Sequence, residues 1–228
     1  MSKIVYCDKD FVVINKDVGI SSLPDGTIGD DALTLTVAEL ENAGENSVLY
    51  PVHRLDKTVG GLLTFARKKD AAARLSSLLC EGGLNKEYFA VVSGAPTGGV
   101  MTDHILKNTA LSKALVVPKE REGAKEAVLE YILLKTVKGA KGEVSLVRIK
   151  LKTGRFHQIR AQFSSRGYPL LGDKKYGSSD HRAKTPSLFA YRISLPTTKQ
   201  AEDIVAYPNL DSYPWNLFEK KDFEVEND

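Results

Sequence analysis

The stretch PVHRLDKTVGGLLTFARK, residues 51–68, decides how the rest of the chain is read. It places His53, Arg54 and Asp56 together, follows them at once with Gly60 and Gly61, and only then runs into the apolar segment Leu62 to Ala66. An apolar run after paired glycines reads as a strand leaving a tight loop, with a strand expected from Leu62. The loop itself carries the chemistry. An aspartate two residues from an arginine is held ionised by the positive charge, and an ionised carboxylate in a cleft can act as nucleophile or base. A simple ion pair at a strand end is the other reading of HRLD taken alone.

Working outward, the bulk properties limit the alternatives. A chain of 228 residues with 42 % hydrophobic content can bury a sizeable core. MSKIVYCDKD is charged early and carries no long apolar run, which supports neither a signal peptide nor a membrane span, so the cytoplasm is the expected compartment. Two cysteines, Cys7 and Cys80, are too far apart for a CxxC motif and too few for a disulfide framework; both are expected reduced and partly buried. The net charge of +3 is mild, but its distribution is uneven. Arg148, Lys150, Lys152, Arg155, Arg160, Arg166, Lys174 and Lys175 share a span whose one acid is Asp173, enough to neutralise several phosphates or to form a solvated basic face.

Alternation and β-branched content predict two strands within residues 4–16, turning at Asp8 to Asp10. Residues 17–31 read as a loop, and Thr34 to Asn42 as a helix with Leu35, Ala38 and Leu40 on its apolar side. A second helix is expected from Lys68, with Asp70 near its start and Gly82-Gly83 ending it, and a third over His157 to Ser165. KEYFAVVSG, residues 127–137, residues 143–154 and LFAYRISLP (188–196) read as strands, and residues 219–228 as a frayed tail. Strands broken by helices without βαβ alternation predict an α+β fold, with a mixed, mostly antiparallel central sheet and flanking helices, in one domain over residues 1–228.

Two further segments carry candidate site residues. In NKEYFAVVSG, Lys86 and Tyr88 fall two apart and share one face of a strand; a tyrosine there can stack on a base and move a proton, or simply pack. In TGRFHQIRAQFSSRGYPLLGDKKYG, Arg155, His157 and Arg160 crowd a helix start, where the dipole disfavours cations unless an anion uses them. A bound phosphate or an internal aspartate partner satisfies that condition equally well.

Taken together and in order, VHRLDKTVGGLL, KEYFAVVSG and TGRFHQIRAQF with YPLLGDKKYG resemble the pseudouridine synthases of the RluA-like branch, which modify ribosomal and transfer RNA. VVINKDVGISS is similar to the family's first strand and lysine turn, and LFAYRISLP to its closing strand. The resemblance implies isomerisation of a uridine within an RNA chain, by base flipping, with no cofactor and no metal, in a monomer with no membrane association. It further implies that Asp56 is the essential aspartate, acting on the ribose or the base. Tyr88 matches the active-site tyrosine, Arg160 the arginine that pairs with the aspartate, Leu171 an apolar wall of the base pocket, and Arg54 the residue that fills the gap left by the flipped base.

His53, Lys86, Arg155, His157, Lys174 and Lys175 are the remaining expected substrate contacts, His157 as a positioner of its loop or of a phosphate rather than an acid or base. Val59-Gly60 stands where many members carry Thr-Ser. The stretch before His53 reads as part of the catalytic sheet, so no separate N-terminal RNA-binding domain is expected, and residues 17–31 and 97–125 are the expected loops of target choice. Trp215 is expected to pack on the core. Two readings from other classes compete: an RNA-binding protein that keeps the fold without activity, which the presence of Asp56, Tyr88 and Arg160 opposes, and a metal-dependent nuclease built on His53, Asp56, His157 and Asp173, whose spacing gives no recognised ligand pattern.

Overall fold

A computed structural model describes residues 2–26, 29–45, 48–81, 84–196 and 201–224. In chain order the strands are β1 (Lys3–Cys7), β2 (Phe11–Lys16), β3 (Tyr50–Pro51), β4 (Gly60–Ala66), β5 (Lys86–Ser93), β6 (Gly99–Asn108), β7 (Lys113–Val117), β8 (Lys125–Gly139), β9 (Gly142–Leu151), β10 (Leu188–Pro196) and β11 (Ala201–Val205). The helices are α1 (Ala32–Asn42), α2 (Lys69–Cys80) and α3 (Gln158–Ser165). The α+β class, with a mixed and mostly antiparallel sheet, is as the patterning predicted.

The chain forms two compact units. The first comprises residues 1–86 and 189–207, the second residues 87–188 and 208–228.

In the first unit the strand order is β1-β2-β4-β10, with β3 also on β4 and β11 on β10. All pairs are antiparallel except β4 with β10, which run parallel through Phe189 opposite Gly60 and Ala190 opposite Gly61. β4 therefore begins two residues earlier than Leu62, because the glycines are strand residues. Gly61 sits at φ +112°, and a Cβ there would lie 2.3 Å from the Ala190 carbonyl oxygen and 2.6 Å from its nitrogen. Only a residue without a side chain permits that backbone approach.

The core of this unit gathers Phe11, Val13, Leu62, Ala66, Ala71, Leu75, Leu84, Ile193, Leu195 and Ile204. α1 starts two residues before the expected Thr34, because Asp31 caps it: its carboxylate accepts from the Thr34 backbone N–H at 3.0 Å and the Thr34 hydroxyl at 2.8 Å. Its buried side is Ala32, Thr36 and Leu40, while Ala38 is exposed. α2 carries Asp70 in its first turn, paired with Arg74 one turn on at 3.0 Å. The glycines expected to end it lie outside the described residues. Cys7 is exposed rather than partly buried, as edge strand β1 turns it outward.

The second unit is an antiparallel sheet in the order β5-β9-β8-β6-β7, with α3 packed against it. Within residues 97–125, expected as loop, β6 and β7 form a hairpin. Residues 219–224 correct the expectation of a frayed tail. Lys220–Phe223 is a 3-10 turn closed by a capping box between Glu219 and Asp222, and Phe223 is fully buried, its ring edge-on to Phe89 at 5.2 Å. Trp215 is buried beside it, as expected.

Candidate active site

Asp56 sits in the loop between β3 and β4, and that loop has little freedom. Ser22 donates its hydroxyl to the Leu55 carbonyl at 2.8 Å and accepts the Leu55 backbone N–H at 2.9 Å. One hydroxyl thus satisfies both backbone groups of the residue before Asp56, and both Ser22 and Leu55 are buried. On the other side, Gly19 N–H donates to the Lys57 carbonyl at 2.8 Å and Val59 N–H to the Asp56 carbonyl at 2.9 Å, closing a turn. The residues 17–22 segment, read from the sequence as a target-choosing loop, is the clamp that shapes the aspartate's backbone. Ser22 itself had no signal beyond its place in GISS, because its partner lies 33 residues away.

The lysine preceding that segment is fully buried. Lys16 donates its ammonium to the Asp17 carbonyl at 2.9 Å and the Ile20 carbonyl at 2.8 Å. Burial pulls it down to about 8, while the charges of Asp17 and Asp56 favour its protonated form. At neutral pH the first unit therefore holds a cation within electrostatic reach of Asp56.

His53 lies three residues upstream of Asp56 and is tied to β4. Its Nε2 accepts the Thr64 backbone N–H at 3.2 Å, so the hydrogen resides on Nδ1, which is buried without a partner among the described residues. Burial first, and then the charge of Lys86, drive its pKa to about 3. The imidazole is neutral across the physiological range and serves as an anchor, not a charge. Lys86 is itself pulled down to about 8 by burial. Arg54 is exposed.

The second unit carries the other candidates. Tyr88 on β5 is 6 % exposed and stands opposite Ile149 of β9. Glu87, on the alternate face, is buried and pairs with Arg148 at 3.7 Å, which removes Arg148 from the basic surface counted in the sequence. α3 begins at His157, a left-handed residue (φ 49°) with no side-chain cap. The next residue does the capping work: Gln158 Oε1 accepts the Arg155 N–H and the Thr153 hydroxyl, both at 2.9 Å, while its amide donates to the Val128 carbonyl at 3.1 Å.

Arg160 forms a two-point pair with Asp173, Nε to Oδ2 at 2.6 Å and Nη2 to Oδ1 at 2.8 Å, both residues being buried. Of the two conditions for a cation near that helix start, an internal aspartate is thus met. The guanidinium also lies 4.9 Å from the centre of the Tyr176 ring.

His157 stacks on Phe156 at 3.8 Å and shares a 3.0 Å hydrogen bond between Nδ1 and the Tyr176 hydroxyl, so it orders its own loop. Leu171 is buried, its N–H bonded to the Val91 carbonyl at 2.9 Å and its carbonyl accepting from Ser187. Lys174, Lys175 and Arg155 are exposed; Lys175 donates to the Ser112 carbonyl at 3.0 Å and Arg155 Nε to the Glu126 carbonyl at 2.8 Å.

The structure thus groups Lys16, Ser22, His53, Arg54, Asp56 and Lys86 in the first unit. Tyr88, Arg155, His157, Arg160, Leu171, Asp173, Lys174 and Lys175 fall in the second. Among the described residues no group of three or more His, Cys, Asp or Glu side chains could hold a metal ion. No helix among them is long and apolar enough to cross a membrane.

The α+β fold and the clamped aspartate alone name no class, and comparison with known proteins supplies it. Residues 10–165 match the family described as RNA pseudouridylate synthase, and the chain belongs to that family. It is 32 % identical over 200 residues to the ribosomal large subunit pseudouridine synthase D of Zymomonas mobilis, covering 85 % of this chain and 62 % of that protein. It is 34 % identical over 182 residues to an uncharacterized RNA pseudouridine synthase of Aquifex aeolicus, covering 76 % and 55 %. The chain thus spans less than two thirds of the length of these relatives. Among solved structures, human RNA pseudouridylate synthase domain containing 1 superposes with a TM-score of 0.72 at 25 % identity, over 92 % of this chain and 84 % of that one.

Proposed function

We propose that this protein isomerises uridines in structured RNA to pseudouridine, working in the cytoplasm as a monomer without cofactor or metal. The observation that carries the reading is the family match over residues 10–165, which spans the Asp56 loop, Tyr88 and Arg160. The Zymomonas relative is named for the large ribosomal subunit, so large-subunit ribosomal RNA is the first substrate class to test, ahead of transfer RNA.

In this reading the N1–C1′ bond of the target uridine breaks and the uracil rotates. A C5–C1′ bond forms, the C5 proton leaves, and N1 gains one, so the product is an isomer and no oxidant or second substrate is consumed. Asp56 acts on the ribose or the base, with the charge of the buried Lys16 ammonium within reach of it, and Arg160 holds Asp173. Tyr88 packs on the base and is the candidate for the proton step, Leu171 excludes water, and Arg54 fills the gap left by the flipped base. His53 and Lys86 support the Asp56 loop. Arg155, Lys174 and Lys175 contact phosphates, and His157 holds its loop for them. Asp56 is the residue the reading depends on most, because buried hydrogen bonds hold the residue before it and backbone hydrogen bonds close the turn after it, while Asp56 itself is partly exposed.

The test is release of tritium from C5-labelled uridine in large-subunit ribosomal and transfer transcripts, comparing native protein with Asp56→Asn. Release by the native protein alone, persisting in EDTA with the RNA uncut, is the expected result. Equal release from the variant removes Asp56 from the chemistry. EDTA-sensitive strand cleavage in place of release moves the protein to the nuclease class.

A further inference from the structure

One carboxylate outside the site described above is buried between exposed neighbours. In GSSDHRAK, residues 177–184, Asp180 is 7 % exposed while Ser179, His181 and Arg182 face water. A carboxylate leaves water at high cost unless charged and polar partners replace it. Asp180 has both kinds. Its Oδ1 accepts the Arg182 backbone N–H at 2.9 Å, and its Oδ2 accepts Arg182 Nη2 at 2.6 Å and the Tyr213 hydroxyl at 2.5 Å. The Arg182 guanidinium also lies 4.3 Å from the centre of the Tyr213 ring. The arginine contacts are local and shape a turn, whereas the tyrosine contact ties that turn to a segment 33 residues on. Hydrogen bonding from Arg182 first, and then from Tyr213, holds the Asp180 carboxyl well below the usual carboxylate range, and burial followed by that bond pushes the Tyr213 phenol up to about 12. The tie is intact throughout the neutral range.

Both ends of the tie are firmly held. On the tyrosine side, Asn216 N–H returns to the Ser212 carbonyl at 3.0 Å, Trp215 is buried, and Phe223 closes edge-on to Phe89 of β5 at 5.2 Å. On the aspartate side, the loop folds back over Leu171, Gly172 and Asp173. Ser178 accepts the Gly172 N–H on its hydroxyl at 3.0 Å and donates its own N–H to the Asp173 carbonyl at 3.0 Å. Ser187 closes the loop by giving both its N–H and its hydroxyl to the Leu171 carbonyl, at 2.9 and 3.0 Å. Gly172, at φ +77°, leaves no slack between these layers: a Cβ there would lie 2.3 Å from the Thr185 carbonyl oxygen and 2.8 Å from the Ala183 methyl.

We propose that Tyr213 and Asp180 form a clamp by which the segment near the C-terminus fixes the loop of residues 171–187, making Asp180 a positioning residue for the isomerisation. It acts at a distance, through Ser178 on the Leu171–Asp173 stretch, and so sets the apolar wall offered by Leu171 and the carboxylate that orients Arg160. The inference rests on the isomerase reading above. Packing alone does not account for the arrangement, because the Tyr213 ring needs no buried carboxylate to cover the loop, and a turn at residues 180–182 needs no tyrosine. Both clamp partners lie outside residues 10–165, the span matched to the family.

The experiment uses the intact protein, with tritium release from the large-subunit ribosomal transcript and amide hydrogen exchange measured on the same variants. Tyr213→Phe keeps the ring and removes only the hydroxyl; Asp180→Asn keeps the shape and removes the charge. Each should lower kcat about 10-fold with KM for RNA unchanged, as expected when reacting groups are misplaced rather than substrate binding lost. The double variant should be no slower than the slower single one, because both remove the same contact. In Tyr213→Phe the Gly172 and Asp173 amides should exchange about 10-fold faster, with β8 and β9 unchanged. Glu219→Ala breaks the capping box at the far end of the same segment and should lower the thermal midpoint while leaving kcat as it is.

Native kcat in Tyr213→Phe overturns the proposal, as do additive losses in the double variant or an equal loss of kcat in Glu219→Ala. Absence of tritium release from the native protein counts against the isomerase reading, and exchange then decides the clamp alone: faster exchange at Gly172 in Tyr213→Phe upholds it, and an unchanged rate removes it.

Discussion

Ser22 spends its one hydroxyl on both backbone groups of Leu55, and Asp56 inherits the geometry that results. Ser22→Ala leaves a buried N–H and a buried carbonyl with no partner, a loss of about 2–4 kcal/mol. Urea unfolding measures that loss, and the tritium assay measures a second effect. If the clamp positions Asp56, kcat falls at least 10-fold with KM little changed; Ser22→Thr, which keeps the hydroxyl, restores much of it. An alanine variant that loses stability but keeps its kcat reduces Ser22 to a purely structural role.

The same scale shows where sequence stops being readable. His53, Arg54, Asp56, Tyr88 and Arg160 stand in short motifs, so their presence was legible. Their partners were not. Ser22 reaches Leu55 across 33 residues, and Arg160 reaches Asp173 across 13 through a helix and a turn. Nothing local in either segment specifies which hydroxyl or which carboxylate closes the contact. Lys16 could be seen as a turn lysine, but that two carbonyls take its ammonium out of water follows only from the fold of residues 17–20.

At the scale of elements, patterning succeeded where one face of a strand or helix met a core and failed where the signal was mixed. The β8–β9 hairpin and α2 followed their periodicity. The β6–β7 hairpin did not declare itself, because lysines interrupt its alternation and only Met101, Ile105 and Ala114 point wholly inward. β5 was read as two faces of different character, yet six consecutive residues, Glu87 to Val92, are buried, so both of its faces are covered.

The paired glycines were read as loop but belong to a strand, and they supply a sharp test. Gly61→Ala drives a methyl group to 2.3 Å from the Ala190 carbonyl oxygen, a contact that can be relieved only by opening the parallel β4–β10 pair. Its cost should exceed about 3 kcal/mol in urea unfolding. Gly60→Ala, whose nearest contact is a movable Val18 methyl at 3.2 Å, should cost distinctly less. Equal effects at the two positions contradict the close-approach account and return both glycines to ordinary loop chemistry.

For the molecule as a whole, chain path matters more than length. The polypeptide leaves the first unit after Lys86, builds the second, returns at Phe189 to add β10 and β11, and leaves again after Tyr207. The late return is not an appendage. Ile193, Leu195 and Ile204 belong to the first unit's core beside Phe11, Leu62 and Leu75, and Ser194 N–H closes on the Asn85 carbonyl at 3.1 Å. Without that segment the first 86 residues would expose the inner edge of β4 and much of the apolar surface that α2 packs over, and a chain that short has little stability to spare. A fragment of residues 1–86 should therefore show no cooperative thermal transition by circular dichroism. The same fragment carrying residues 189–207 on a short Gly-Ser linker should regain one, with amide protection returning in β2 and β4. Cooperative melting of residues 1–86 alone would mean that the early strands and α2 suffice for a core, and that β10 and β11 were added to a unit already stable. The expected dependence instead makes the Asp56 loop, which β4 anchors through Thr64 and His53, contingent on a strand that begins at Leu188, 132 residues further along the chain.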